Sequence, residues 1–372
     1  MHADAGVMKR MGLARRSVGE GFGSWLAPLG TGLGWWALRG ADAVGRQLDR
    51  ILFPNLDRTP IERPVILVGL PRSGTTFLHR FLVDNGVGVG QELWRMLLPS
   101  PSLQALARPF LPLMERVSPS RFHDPRMHET GLTQVETDDV AVLFRHFDGF
   151  FLYAFALSHA EQDLRDVFDP EVRDVTRRDL DTLADQWQRT LVATGGKRII
   201  AKIFSALGQL PAVLDRFPDA RVVVIVRDPM ESIPSTLSLI TNTLHNRFGF
   251  WGCTPELRQR TIERLYTALV ALQDRFLDDW QSGRILCNQI EVVTFPGLVN
   301  DFDATARRLL HFLDHTIDDQ LDGVIRTIDL SQRQRRSEHH YDLSRFGLEP
   351  ERVKADTART HKLFLKDLFP AT

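Results

Sequence analysis

The spacing of apolar positions along this chain changes period several times. Short, continuous apolar runs stand at "VILVG" from Val65, "RIIAKI" at 198–203, "ARVVVIVRDP" at 220–229 and "RILCNQIEVVTF" at 284–295. Runs of that length, bounded by turn formers and charges, predict buried strands. Between them the apolar period lengthens to that of a helix. Thr75 to Asn85 follows the first run, 164–198 reads as one or two helices closed by Gly195 and Gly196, and "ALGQLPAVLDRFPD" separates the second run from the third. Residues 255–282 place Ile262, Leu265, Tyr266, Leu269, Leu272, Phe276 and Trp280 on one face, with Thr254 as N-cap and Pro255 at the first helical position. "ETDDVAVLFRHF" at 136–147 and "DFDATARRLLHFL" at 301–313 complete the helical stretches. Strand, helix and strand in succession predict an α/β protein with a parallel sheet flanked by helices.

The margins read differently. Residues 1–58 form a helical N-terminal extension that ends in "FPNLDRTPIERP", and 59–372 form a single domain. Six prolines between Pro99 and Pro125 predict an irregular lid or helical excursion from Leu97 to Thr130. That segment, with the aromatic run "FRHFDGFFLYAF" at 144–155, has the composition of a greasy acceptor pocket or of plain hydrophobic core. "SWLAPLGTGLGWWAL" at 24–38 is too short for a membrane span and is interrupted by Pro28, Gly30, Gly32 and Gly34. It reads as a helix on the domain surface, or as a peripheral membrane contact made by Trp25, Trp35 and Trp36 with the arginines before them.

Charge narrows the function. With 46 basic and 47 acidic residues the net charge is -1, which argues against a nucleic-acid binder. The two cysteines, Cys253 and Cys287, suit a reducing cytoplasmic interior, and no metal site is expected.

The chemistry concentrates in Gly69-Leu-Pro-Arg-Ser-Gly-Thr-Thr76, directly after the first strand. Its glycines are spaced as in a nucleotide-binding phosphate loop, yet Thr75 stands where such a loop has lysine. Glycines let successive amides converge on an oxyanion, and the following helix adds its positive end. Ser73, Gly74, Thr75 and Thr76 supply donors, and Arg72 is the fixed cation within the loop. The third strand ends in Arg227 rather than in the acid a metal-dependent kinase needs, so a P-loop kinase fits poorly.

"PRSGTTFLHRFL", "ARVVVIVRDPMESIPSTLSL" and "HHYDLSRFGLEPERV" together resemble the sulfotransferases that use 3′-phosphoadenosine 5′-phosphosulfate (PAPS). The likeness is to the bacterial Pro-Arg-Ser-Gly-Thr-Thr branch, itself similar to tyrosylprotein sulfotransferases. The resemblance covers roughly residues 50–355 and implies a sulfotransferase domain with a P-loop-type sheet. It further implies that the loop wraps the 5′-phosphosulfate, that Arg227 and Ser235 grip the 3′-phosphate, and that adenosine 3′,5′-bisphosphate is the product. Arg72 and Lys202 are then the cations near the transferred group, and Arg335 in the tail closes over the 3′-phosphate. The histidine base of many relatives is missing after Lys202, where the chain reads Ile-Phe-Ser-Ala. By similarity to the tyrosylprotein type the general base is Glu92, with His128 and Glu136 as other candidates. The implied reaction is sulfuryl transfer to a hydroxyl of a small-molecule, glycolipid or carbohydrate acceptor. A nucleotide-binding protein that has lost its chemistry is the alternative.

Overall fold

The strands form because their side chains are excluded from water on both faces. In the computed structural model, which describes residues 2–117, 131–285, 287–334 and 343–365, β1 (Val65–Val68), β2 (Ile200–Lys202), β3 (Arg221–Val226) and β4 (Ile290–Thr294) make one parallel sheet in the order β2-β1-β3-β4. β1 is fully buried and pairs on both edges, with Leu67 level with Lys202 on one side and with Val223 on the other. The chain leaves β1 toward β2 and then crosses to β3 on β1's other edge. That reversal creates a crevice at the C-terminal ends of β1 and β3, where open α/β sheets bind ligands.

Packing divides the chain into two units. One comprises Arg63–Gly88, Ile200–Leu237 and Tyr266–Thr372 and holds the sheet. Its core joins Leu78, Phe81 and Leu82 of helix Thr75–Asp84 to Val223, Ile225 and Val293 of the strands and to Phe302, Leu309 and Leu310 of helix Phe302–Phe312. Phe81 meets Phe302 edge to face at 5.0 Å. Each such burial stabilises by roughly 1.5–3 kcal/mol.

The other unit comprises Met1–Glu62, Val89–Ile199 and Ser238–Leu265 and is helical. Its longer helices include His2–Phe22, Ala27–Leu52 and Thr176–Thr194, the last ended by Gly195 in the left-handed conformation. Arg10 ties the first of these down, donating to the carbonyls of His146 and Phe147 at 2.8 Å each. Asp49 accepts from Ser100 Oγ at 2.9 Å and from Arg189 Nη1 at 2.8 Å, so a buried charge is met by a buried partner.

The expected parallel α/β sheet is present, and several details are sharper than the sequence pattern. The second strand is only Ile200–Lys202, and the fourth begins at Ile290 after a 3₁₀ turn whose Gln289 donates to the Pro218 carbonyl at 2.6 Å. The proline-rich stretch is helical as far as described: Pro101 opens helix Pro101–Ala107 behind a Ser100 cap, because proline at the first position forfeits no intrahelical bond. In the aromatic run, Phe150, Leu152 and Tyr153 are buried, with Phe150 edge-on to Phe168 at 5.5 Å, so these side chains are core. Trp35 is also buried, edge-on to Phe147 at 6.2 Å, which removes it from the three tryptophans expected at a membrane.

Candidate functional site

The loop after β1 is shaped by close backbone approach. A Cβ on Gly69 would lie 2.5 Å from the Ile225 carbonyl oxygen of β3, so only glycine lets the two chains run that near. Gly74 has φ 98°, and Arg72 between them adopts φ 70°, a left-handed conformation that costs a non-glycine residue about 1–2 kcal/mol. Ser73, 1% exposed, folds back to donate from Oγ to the Leu70 carbonyl at 2.7 Å. Gly74 is the N-cap residue of helix Thr75–Asp84, whose first-turn amides have no carbonyl partner within the helix.

At that loop the sheet-bearing unit gathers four of the expected residues. Arg72 Nε donates to Ser235 Oγ at 3.1 Å. Arg227 Nη1 donates to the Arg72 carbonyl at 2.7 Å, and Thr236 Oγ1 donates to the Pro71 carbonyl at 2.9 Å. Lys202, 7% exposed at the end of β2, donates from Nζ to Thr76 Oγ1 at 3.1 Å. Arg227 also pairs with Glu231 at 2.8 Å and lies over the Phe295 ring at 4.2 Å. The ion pair is one turn along the helix and half exposed on the Glu231 side, so it leaves the guanidinium's fork oriented while adding little stability.

Helix Pro229–Phe248 begins at this point. Asp228 caps it by accepting from the Met230 amide at 2.8 Å, and His361 Nε2 approaches the same carboxylate at 3.1 Å. Beside this helix start lies a hollow of about 410 Å³ lined by Met230 with Leu343, Ser344, Gly347, Leu348 and Glu349. Gly347 and Leu348 of the C-terminal motif therefore share this hollow with Met230, three residues after Arg227. Cationic groups, hydroxyls and a helix N-terminus facing one crevice form a receptor for oxyanions.

Glu92 and Glu136 both belong to the helical unit, where an antiparallel bridge joins Glu92 to Val135 and the Glu136 amide donates to the Gln91 carbonyl at 2.9 Å. The Glu92 carboxylate accepts from Arg95 Nε and, at 3.1 Å, from Trp94 Nε1. Glu136 is 7% exposed. His128 and Arg335 lie outside the described residues. Sequence reasoning missed Thr236, Phe295 and His361. Phe295 was findable, since it follows β4 and the sheet order sets that strand end beside the end of β3.

The sulfotransferase family model matches residues 64–319, which span the loop, Glu92, Lys202, Arg227 and Ser235. The chain belongs to the sulfotransferase family. Within that family it is similar to the omega-hydroxy-beta-dihydromenaquinone-9 sulfotransferase Stf3 of Mycobacterium bovis and of Mycobacterium tuberculosis, at 26% identity over 260 residues in each case. Those alignments cover 67% of this chain and 62% of the relatives, so less than two thirds of their length is matched. Among solved structures, sulfotransferase STF1 of Mycobacterium tuberculosis H37Rv gives a TM-score of 0.67 at 20% identity, covering 96% of this chain and 93% of that one. STF9 of Mycobacterium avium gives 0.66 at 20% identity, covering 89% and 84%. The shared sulfotransferase fold bears out the expected architecture, and the matched family bears out the resemblance read from the motifs.

Proposed function

We propose that this sulfotransferase moves a sulfuryl group from PAPS to a hydroxyl of a small-molecule, glycolipid or carbohydrate acceptor. The observation that carries the donor is the meeting of Arg72 with Ser235 and Arg227 at one crevice, two anion-binding elements placed for a nucleotide with phosphates at both ends. The residues fit such a ligand: the backbone curls where a Cβ on Gly69 would collide with β3, and Arg72, Arg227, Lys202, Thr76 and Ser235 supply cationic and hydroxyl donors.

PAPS, when bound, supplies the activated sulfuryl group. Arg72, Ser73, Gly74, Thr75 and Thr76 would hold its 5′ end, Arg227, Ser235 and Arg335 its 3′-phosphate. Lys202 and Arg72 stabilise negative charge that grows on the leaving side, and their value rises in a crevice sheltered from water. Glu92 removes the acceptor's proton, and its contact with Arg95 Nε holds the carboxylate in place. Glu136, on the segment bridged to that of Glu92, is the alternative base. The acceptor of the relatives named Stf3 is a hydroxylated dihydromenaquinone, which favours an apolar alcohol here.

Thermal shift with adenosine 3′,5′-bisphosphate against ADP with magnesium tests the donor, because a ligand of the folded state alone raises the melting point by mass action. A shift with the bisphosphate alone supports the reading, and no shift with it removes it. Transfer of labelled sulfate to a lipid alcohol then separates an enzyme from a nucleotide-binding protein without chemistry.

A further inference from the structure

Helix Ala27–Leu52 is amphipathic in the inverted sense. Its two acids face inward: Asp42 is 4% exposed and pairs with Arg46 and Arg145, and Asp49 is 2% exposed and pairs with Arg189. Its apolar residues face outward. Leu26 is 79% exposed, Leu33 74% and Ile51 76%, with Leu29, Trp36, Val44 and Leu48 also exposed. At 100° per residue, Leu26, Leu29, Leu33, Val44 and Ile51 fall on one stripe, and no charged residue is exposed on the helix from Ala27 to Ala43.

The rim of this stripe is basic. Arg15 lies over the ring of exposed Trp25 at 6.0 Å, Arg247 donates to Thr31 Oγ1 at 3.1 Å, and Arg50 is exposed at the far end. Exposed Glu20 is paired with Arg16. No single described helix is long and apolar enough to cross a membrane. An apolar face, tryptophans at its edge and arginines on its flanks are the features of a helix that lies in the headgroup region of an anionic bilayer.

We propose that the outer face of helix Ala27–Leu52 docks this protein on an anionic lipid surface. The face sits parallel to the bilayer, with Leu26, Leu29, Leu33 and Ile51 among the acyl chains, Trp25 and Trp36 at the headgroups, and Arg15, Arg50 and Arg247 on anionic phosphates. Docking does not depend on which acceptor is sulfated or on the donor.

Flotation of the full chain with phosphatidylcholine vesicles, and with vesicles containing about one third phosphatidylglycerol, tests this without nucleotide. The chain is expected to float with the anionic vesicles, less with the neutral ones, and less again at high salt. The exposed double variant Leu33→Glu with Ile51→Glu is expected to bind at least about tenfold more weakly, because each change puts a charge into the apolar face. An unaltered melting temperature shows that the variant is folded. Failure of the wild type to float, or equal flotation of the double variant, overturns the proposal. So does a wild-type dimer, measured by light scattering, that the double variant splits without either form floating; the face then covers a second copy.

Discussion

Arg72 Nε donates to Ser235 Oγ at 3.1 Å across 163 residues of chain, and the backbone oxygen of the same arginine accepts from Arg227. The loop after β1 and the helix after β3 are thus wired together by the residues assigned to opposite ends of one nucleotide.

Ser235→Ala and Arg227→Ala are expected to weaken adenosine 3′,5′-bisphosphate binding by about 10-fold and 10- to 100-fold, the range for a hydrogen bond to a charged group. Affinity for adenosine 5′-phosphosulfate, which has no 3′-phosphate, should change much less. Calorimetric titration of both ligands checks this, and equal losses for the two would remove these residues from the 3′-phosphate.

Lys202 is buried against Thr76 at the end of β2, so its ammonium is held rather than mobile. Lys202→Met keeps much of the volume while deleting the charge. Turnover should fall by about 10²- to 10³-fold with bisphosphate affinity changed only severalfold, as for a group that acts on transition-state charge. Parallel kcat and Kd measurements decide between this and a purely structural lysine, which would lower the melting point and leave kcat intact.

For the base, Glu92→Gln should cut kcat by about 10²- to 10⁴-fold while preserving acceptance from Trp94. Full activity with a lower melting temperature would mean that Glu92 serves only Arg95 and Trp94. Glu136→Gln, assayed beside it, then becomes the informative variant.

Gly74→Ala places a Cβ 3.0 Å from Leu298 and 3.3 Å from Phe295 at φ 98°. A loss of about 1–3 kcal/mol follows from strain and crowding together, or roughly 1–4 °C in melting temperature for a chain of this length. Nucleotide binding should weaken further than stability alone explains, since the loop must move to relieve the contact. Melting curves with and without the bisphosphate separate the two effects.

Two histidines of the helical unit fix the acid limb. Burial, with Arg178 next in size for His146 and Arg260 for His159, pushes both rings from 6.5 down to about 3. Folded pKa values below the unfolded ones mean stability that is whole above pH 6.5 and lost as pH falls toward 3. At pH 5 the loss is about 1–2 kcal/mol for each ring. Asp179, pushed up to about 6 by burial, acts in the opposite sense, giving stability at low pH that is lost as pH rises through 6. Denaturant melts of His159→Gln at pH 7 and pH 5 should show a smaller difference than the wild type; an equal difference would acquit that ring.

What the sequence made legible follows from where information is local. Strand runs, the Thr254 cap that accepts from the Leu257 amide at 3.4 Å, and the glycine-bounded loop are each encoded within a few residues, and each is found. Arg72, Ser235 and Lys202 were singled out through the motifs that carry the resemblance, while their contacts, Arg72 with Ser235 and Lys202 with Thr76, depend on sheet order. The inward turn of Trp35 was not, since its neighbour Trp36 has the same composition and faces out, and only the partner Phe147 distinguishes them. Helix Ala27–Leu52 misleads for a related reason: its buried charges are satisfied by Arg145 and Arg189, more than a hundred residues away. The proline count of 97–125 left an irregular lid and a helical excursion equally open, and among the described residues Pro101, Pro109 and Pro112 sit at helix starts.

The level pairing of Leu67 with both Lys202 and Val223 has a practical corollary for altered chains. Because successive strand residues face opposite sides, one residue deleted from β2 or β3 would turn Lys202 or Arg227 to the wrong side of the sheet without changing its identity. The crevice should therefore tolerate exchange of hydrophobic strand residues such as Val223 for isoleucine far better than any change in strand length, and variation in length among functional variants should be confined to segments outside β1, β2 and β3.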